Sequence, residues 1–203
     1  MLTGPRPRAA CDAGDDVRDI EMSVRDPDRF GAIFDRYFGE IHRYVARRLG
    51  DEAADDIAAE TFLTAFGKRH RFDASRGIVR AWLFGIATNH MSHYRRRELR
   101  KYRAMQRAGA ALPGEGPGDP VADLVTAGAI HRRLAGALAK LSHGDREVLL
   151  LIALGGLSHA EVAAALGIPY GTVASRLSRA RRKLRAELTA EAATSGQEDE
   201  DDG

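Results

Sequence analysis

The chain has 203 residues, of which 44% are hydrophobic and 30% are charged. This length is enough for one ordinary domain or two small ones, and the hydrophobic content supports a packed core. Cys11 is the only cysteine, which excludes an internal disulfide and a multi-cysteine metal site. Residues 1–14 lack the apolar segment of a signal peptide, and the longest apolar run, 148–157, is about half of the roughly 20 residues that a membrane span needs. We therefore predict a soluble cytoplasmic protein.

The net charge of +2 averages over strongly segregated segments. Residues 80–107 contain eight basic residues and one acid, and residues 170–186 contain six basic residues and no acid. Residues 187–203 contain seven acids and no base. A single basic run is most often a solvated helix face, but two separate runs favour two surfaces for a polyanion.

The chain is predicted to begin with a flexible tail at residues 1–25, followed by a helix. Asp26 can cap this helix, Pro27 suits its first position, and Gly50 can end it. The helical spacing of its apolar residues predicts one buried stripe, formed by Phe30, Ile33, Phe34, Tyr37, Phe38, Ile41, Tyr44 and Val45.

Two further helices are predicted in the first half. One runs from about residue 52 to 68 and begins with an acidic segment that contains no base: Asp51, Glu52, Asp55, Asp56 and Glu60. The second of these helices follows a loop at 72–77 and begins near Ile78. It is predicted to continue to about Arg107, either without interruption or with a break along its length. Trp82 lies on the apolar stripe of this helix, which favours core packing over stacking on nucleic acid. No segment shows the alternating pattern of a strand.

A breaker-rich segment at residues 109–126 marks a domain boundary. It contains the run Ala-Leu-Pro-Gly-Glu-Gly-Pro-Gly-Asp-Pro. A phosphate-binding loop is not favoured, because no strand precedes these glycines and no Gly-Lys-Ser/Thr follows them. We therefore predict a flexible linker between a first domain at 26–108 and a second at 127–190.

The sequence of the second half predicts four helices, at 127–140, 143–154, 158–166 and about 170–188. An acidic tail at 191–203 follows them. The third and fourth form a helix-turn-helix. Ser158 and Glu161 have the spacing of a capping box, and Gly167 permits the positive φ of a tight turn. A small shared core is expected from Val162, Ala163, Leu166, Ile168, Val173 and Leu177.

The last helix of this motif is predicted to bind duplex DNA. Short polar side chains near its start can approach base edges in the major groove, and its arginines can contact phosphates. The expected contacts are Thr172, Ala174, Ser175, Arg176, Ser178, Arg179 and Arg182. The alternative is a helical hairpin buried in a larger bundle, and the density of arginines argues against it.

The ordered motifs resemble those of bacterial RNA polymerase sigma factors. Residues 141–149 and the helix-turn-helix resemble the domain that binds the promoter −35 element. The first half resembles the other essential domain in three stretches: 34–37, 55–66 and 81–89. The match covers about 30–107 and 130–188, and the short linker is typical of the extracytoplasmic-function type. The resemblance implies an all-α fold with two helical domains, the second containing a helix-turn-helix, joined by a flexible Pro/Gly-rich linker.

The resemblance also implies a role for each segment. It assigns the binding of core RNA polymerase to the acidic helix, at Asp55, Asp56, Glu60 and Phe62. It assigns the capture and melting of the −10 element, as single-stranded DNA, to five residues: Phe72, Asn89, Arg95, Arg96 and Arg97. In the family, the position of Asn89 lines a pocket for an extruded base, which the 72–77 loop closes. Members often have an anti-sigma partner, so we expect one here.

Two other functions are weighed against this one. A stand-alone regulator with a similar helix-turn-helix would carry an α/β receiver domain, which the strand-free first half does not predict. An enzyme could use His90 and His93, three residues apart on a helix, but no acid or cysteine lies beside them in sequence. We expect no catalytic residue, no cofactor and no metal.

Overall fold

The computed structural model describes residues 11–76, 78–107 and 128–198. Every regular element within these ranges is helical, which confirms the all-α prediction there. The α-helices are α1 Cys11–Ser23, α2 Phe30–Leu49, α3 Asp51–Lys68, α4 Val79–Arg107, α5 Gly128–Ala139, α6 His143–Ala153, α7 His159–Leu166 and α8 Tyr170–Glu198. The predicted linker at 109–126 lies outside the described residues.

Two glycines end helices where the sequence predicts, but the predicted start of the first long helix is corrected: Pro27–Arg29 form a short 3-10 helix, α2 begins at Phe30, and Asp26 makes no side-chain capping hydrogen bond. Gly50 has a φ of +82° and lets α3 begin directly after α2, because glycine adopts this conformation without strain. Gly167 has a φ of +62° and ends α7. The third predicted helix has no interruption, because α4 is continuous from Val79 to Arg107.

The first core is formed where α2, α3 and α4 pack together. Its centre contains apolar side chains that are almost completely buried: Ile33, Ile41, Val45, Ala54, Ile57, Ala58, Leu83 and Phe84. Burying a side chain of the Leu or Phe type contributes about 1.5–3 kcal/mol, so this cluster stabilises the packing of the three helices. Trp82 is half-buried against the same core, as its position on the apolar stripe predicts.

The prediction of a flexible tail at residues 1–25 is wrong for residues 11–23, which form α1. The helix docks on α2 through the nearly buried Asp16, which accepts hydrogen bonds from Arg36 and Tyr37. Ile20 is buried in the core, and the Ser23 carbonyl accepts a hydrogen bond from Arg69 at 3.0 Å. These contacts are made with residues far along the chain, so tertiary packing holds a helix whose own pattern is weak.

The last helix is longer than the predicted 170–188, because α8 continues to Glu198 and so includes the first part of the acidic tail at 191–203. Alanine and glutamate are strong helix formers and recur in this segment, so no local signal ends the helix after Leu188. Leu184 packs against a small second core formed by α5, α6 and α8.

The two halves of the chain also pack against each other, with α4 lying against α7. Gly85 of α4 allows this close approach, since a Cβ atom there would lie 2.5 Å from the carbonyl oxygen of Ala165. The main core cluster is continuous across the contact and includes Val148, Leu151 and Val162 of the second half. Within the described residues, the main hydrophobic core is therefore shared by the two predicted domains.

Candidate nucleic-acid interface

The helix-turn-helix is held by the local interactions that its sequence predicts. Ser158 and Glu161 form the full capping box: the Ser158 hydroxyl accepts from the Glu161 amide at 3.3 Å, and the Glu161 carboxylate accepts from the Ser158 amide at 2.8 Å. Val162, Val173 and Leu177 are buried in the shared core. These contacts fix α8 relative to α7 and leave most of the polar side chains of α8 exposed.

One flank of α8 faces the N-terminal end of α7. It forms an open basic groove lined by His159, Ala174, Ser178, Arg181, Arg182 and Arg185. Arg181, Arg182 and Arg185 are exposed and have no acidic partner in the described part of the chain. We define these three residues as the free arginines. Sequence reasoning missed Arg181 and Arg185, although they lie three and seven residues after Ser178 and therefore share its face.

The other flank of α8 faces the first turn of α6. Arg176 is half-buried, with its guanidinium so close to Gly144 that a Cβ atom there would lie 2.8 Å from Nη1. Arg179 donates a hydrogen bond to Asp145 at 3.2 Å. No sequence signal near Arg176 or Arg179 could have identified Gly144 and Asp145, because they precede these arginines by more than 30 positions.

Of the remaining candidates on α8, Ala174 and Ser178 belong to the basic groove, and Thr172 and Ser175 lie in the first two turns of the helix. Ala174, Ser175 and Ser178 are exposed, and Thr172 is half-buried. The Ser175 hydroxyl donates to the Thr172 carbonyl at 3.0 Å, so the lone pairs of this hydroxyl remain for an incoming donor. All of the predicted −35 residues therefore lie in the first half of α8.

The candidate −10 residues on α4 do not share one environment. Asn89, Arg96 and Arg97 are exposed. The Arg97 guanidinium lies 5.5 Å from the centre of the Tyr94 ring. Phe72, in the loop before α4, is half-buried and packs on the core, with its ring centre 5.3 Å from that of Trp82.

Arg95 differs from its neighbours, because it is half-buried and close enough to Glu147 of α6 to act on its charge. The expectation that Arg95 lies open for a phosphate is therefore wrong in this arrangement of the helices. Its position on α4 turns it toward the second half of the chain, whereas Arg96 and Arg97 are rotated toward solvent.

The acidic surface of α3 is exposed at Asp55, Asp56 and Glu60, as predicted. Histidines of the adjacent helices approach two of these carboxylates. His42 Nε2 lies 2.9 Å from Asp55, and His90 Nδ1 lies 3.3 Å from Glu60. Burial, together with the charges of His93 and Lys68, lowers the pKa of His90 below its ordinary value although Glu60 raises it, so His90 is mainly neutral at pH 7.

Phe62 lies apart from these acids, and its expected place in a polymerase contact is corrected. The residue is 3% exposed and packs with the rings of Phe34 and Phe38. The next residue, Leu63, is 73% exposed. Position 62 belongs to the buried stripe of α3, whereas position 63 continues the register of Asp56 and Glu60 and places an apolar side chain on the acidic face.

Two arginine clusters connect the halves of the chain. Arg48 of α2 donates two hydrogen bonds to Glu147 of α6, at 2.6 and 2.7 Å, and one to the Tyr44 hydroxyl at 2.8 Å. Arg80 of α4 donates to Glu40, to Glu161 at 2.8 Å and to the Gly155 carbonyl at 2.7 Å. The sequence alone does not indicate either cluster.

Glu147 is ionised in this setting. Burial raises its pKa, but the hydrogen bonds and charge of Arg48 lower it further, with His143 and Arg95 contributing, so its pKa lies below the ordinary glutamate value. Arg48 and Glu147 are 1% and 3% exposed, so the pair is a buried ion pair with bidentate geometry.

The histidines give no indication of a metal centre. His90 also lies 2.9 Å from the Thr64 hydroxyl, and His93 is exposed. In residues 11–76, 78–107 and 128–198, no group of three or more histidine, cysteine, aspartate or glutamate side chains is arranged to hold a metal. No helix in those ranges is long and apolar enough to span a membrane.

Two family descriptions match the chain in the order of its two halves. Residues 33–101 match "Sigma-70 region 2", and residues 131–184 match "Sigma-70, region 4". The class is thus that of the promoter-specificity subunits of bacterial RNA polymerase.

Curated relatives place the chain within that class. It is 36% identical to the RNA polymerase sigma factor CnrH of Cupriavidus metallidurans over 173 residues, which cover 80% of this chain and 87% of CnrH. It is 37% identical to the ECF RNA polymerase sigma factor SigC of Mycobacterium tuberculosis over 152 residues, which cover 73% of this chain and 77% of SigC.

Solved structures show the same fold. The structure of CnrH in complex with the cytosolic domain of CnrY has a TM-score of 0.59 and 29% identity, and covers 87% of this chain and 98% of that chain. The co-crystal structure of the sigma factor RpoE with the anti-sigma factor NepR from Bartonella quintana has a TM-score of 0.56 and 25% identity. The match covers 80% of this chain and 98% of that chain.

The chain belongs to the sigma-70 family and is an extracytoplasmic-function RNA polymerase sigma factor. It binds core RNA polymerase and promoter DNA and directs promoter-specific transcription initiation. Proteins of this family regulate transcription without catalysing a reaction of their own.

Proposed function

We propose that α8 reads the −35 element as duplex DNA, that α4 captures the single-stranded −10 element and assists its melting, and that α3 contacts core RNA polymerase. The observation that carries the proposal is the surface of α8. Exposed arginines and short polar side chains lie together on a helix whose other face is buried by a capped helix-turn-helix. Arginines of this kind neutralise phosphates, and short side chains allow close approach to base edges.

Capture of the −10 strand rests on the outer face of α4. Asn89 presents an amide that can both donate and accept, which suits the hydrogen-bonding edge of an extruded base. Extrusion costs a few kcal/mol and is offset by stacking and hydrogen bonds in the pocket that receives the base. The exposed Arg96 and Arg97 would bind the adjacent phosphates, and the half-buried Phe72 would stack on the extruded base.

Core polymerase binds, in this proposal, to the acidic face of α3. Asp55, Asp56 and Glu60 supply charge for a basic partner surface, and Leu63 supplies an apolar contact among them. The protein then acts wherever core polymerase is present, in agreement with the predicted cytoplasmic location.

An anti-sigma protein is a further proposed partner. The related CnrH and RpoE were solved in complex with CnrY and with the anti-sigma factor NepR. The present chain covers almost the whole of both structures, so it contains the counterparts of both domains that are present in those complexes.

Simultaneous binding of both promoter elements requires the two halves of the chain to separate. Elements about 25 base pairs apart are separated by roughly 85 Å along the duplex, at about 3.4 Å per base pair. A compact chain of this length has a radius of gyration of about 17 Å. Residues 108–127 can span roughly 66 Å when fully extended, which together with the size of the two halves is sufficient.

Run-off transcription with reconstituted core polymerase over a promoter library tests the proposal. We expect initiation at promoters that share a −35 and a −10 sequence and that core polymerase alone does not use. The proposal fails if core polymerase with this protein initiates nowhere that core polymerase alone does not.

Arg176→Ala is expected to weaken −35 binding about equally for all sequences and to reduce the salt slope by about one, as for the loss of one phosphate contact. Filter binding or fluorescence anisotropy of the holoenzyme, with several −35 sequences and salt concentrations, measures both quantities. A change in sequence preference would instead show that Arg176 reads a base.

Asn89→Ala is expected to change the preferred −10 sequence without changing the affinity for core polymerase, because Asn89 is exposed on α4 and, among the described residues, makes no hydrogen bond to the acidic side chains of α3. Promoter-library transcription measures the first quantity, and titration of labelled protein with core polymerase measures the second. Loss of affinity for core polymerase would instead show that Asn89 belongs to the interface with core polymerase.

A further inference from the structure

We propose that Asp145, in the first turn of α6, is a positioning residue that orients Arg179 of α8 to read a guanine in the −35 element, while the free arginines bind phosphates. The inference rests on the proposed function of α8. It assigns unequal roles to arginines that look equivalent in the sequence.

Asp145 is itself firmly placed. It is 5% exposed, and its amide donates to the hydroxyl of Ser142, the residue that caps α6, at 3.2 Å. Burial raises the pKa of Asp145, but the hydrogen bonds from Ser142 and Arg179 and the charge of Arg179 lower it further, with a smaller contribution from Lys183. The carboxylate is therefore ionised at neutral pH and presents a fixed negative charge to Arg179.

The contact restrains Arg179 without covering it. The Arg179 side chain remains 46% exposed, and only Nη2 is engaged, at 3.2 Å from Asp145 Oδ1. The other guanidinium donors are available, and guanine presents O6 and N7 in the major groove at the spacing of two such donors. An arginine that is already held loses less rotamer freedom when it binds.

The charge of Asp145 also favours a base over a phosphate. A phosphate at Arg179 would lie close to the Asp145 carboxylate and be repelled, whereas the neutral edge of guanine would not. The free arginines have no such acid among the described residues and are attracted to the DNA backbone without restriction. The two flanks of α8 therefore combine one oriented arginine with a set of backbone contacts.

The test uses holoenzyme and a panel of −35 duplexes that contains every single base-pair substitution. The variants are D145N, R179A, the double variant and R182A, with affinity measured for each duplex. We expect R179A to lose a guanine preference at one base pair, by the roughly tenfold or more that one bidentate contact supplies. D145N should weaken the preference at that same base pair, and the double variant should match R179A. R182A, the control, should weaken binding to all duplexes alike.

Three outcomes would overturn the inference. D145N could leave the preference unchanged, could change a different base pair from R179A, or could weaken all duplexes alike, as a purely structural residue would. If D145N does not fold, D145E replaces it, since it keeps the charge at the start of α6 but displaces the carboxylate by one methylene. The D145E variant must then weaken the base preference at the same base pair as R179A does. A wild-type holoenzyme that initiates nowhere beyond core polymerase would instead refute the proposed function.

Discussion

Glu147→Ala is expected to destabilise the packing of the two halves of the chain by about 3–5 kcal/mol, because it leaves the guanidinium of Arg48 buried without a counter-charge. Arg48 is 1% exposed and donates two hydrogen bonds to Glu147. Arg48 also donates to the Tyr44 hydroxyl, but this neutral group cannot replace a carboxylate. The expected response is separation of the halves, because exposure to water restores the solvation of Arg48.

Small-angle scattering and urea unfolding measure this effect, through a larger radius of gyration and a lower unfolding midpoint. The matched control is the double variant R48M/E147L, in which apolar side chains replace the pair. Such replacements are often neutral or stabilising, so this variant should stay packed. A Glu147→Ala protein as compact and as stable as the wild type would show that the pair is not buried in solution.

The same ion pair predicts a pH dependence of the packed arrangement. The pKa of Glu147 in the folded protein lies below the ordinary glutamate value, because Arg48 stabilises the ionised carboxylate. The unfolded chain therefore binds the proton more readily, and stability from this residue is present above the ordinary value and lost as the pH falls through the folded pKa. In Glu147→Gln this component of the acid response, measured by urea unfolding at a series of pH values, should be absent.

Gly85→Ala is expected to weaken the contact between α4 and α7 while strengthening α4 itself. The new Cβ atom would lie 2.5 Å from the carbonyl oxygen of Ala165 and 3.3 Å from its carbonyl carbon. These are backbone atoms, so no side-chain rotation relieves the clash, and α7 must move away from α4 at a cost of about 1–3 kcal/mol. Alanine within a helix also contributes up to about 1 kcal/mol relative to glycine.

Hydrogen exchange separates the two effects, because amides of α7 should lose protection while those of α4 keep or gain it. Gly31→Ala is the control. Gly31 lies in α2, and a Cβ atom at this position would have nothing within 4 Å, so the variant gains helix propensity without a clash. Equal behaviour of the two variants would refute the close approach of α4 and α7.

The sequence by itself determined the features that depend on neighbouring residues. The capping box of Ser158 and Glu161, the turn at Gly167 and the end of α2 at Gly50 are fixed by backbone conformation and by groups within a few positions. Helical periodicity likewise predicted most of the buried stripe of α2, but not that Phe34 within it is 40% exposed. These signals, together with the ordered motifs, were sufficient for the fold class and for the family.

Only the tertiary structure decided which of the exposed-looking residues are available. Arg95 is turned toward Glu147, Asp145 holds Arg179, and α1 forms because Asp16 meets residues of α2. Each of these contacts joins residues 20 or more positions apart. Their energies depend on burial and on the distance between charges, which periodicity does not contain. The chain thus specifies its helices locally, while the environment of each arginine on α4 and α8 is set by the helix packed against it.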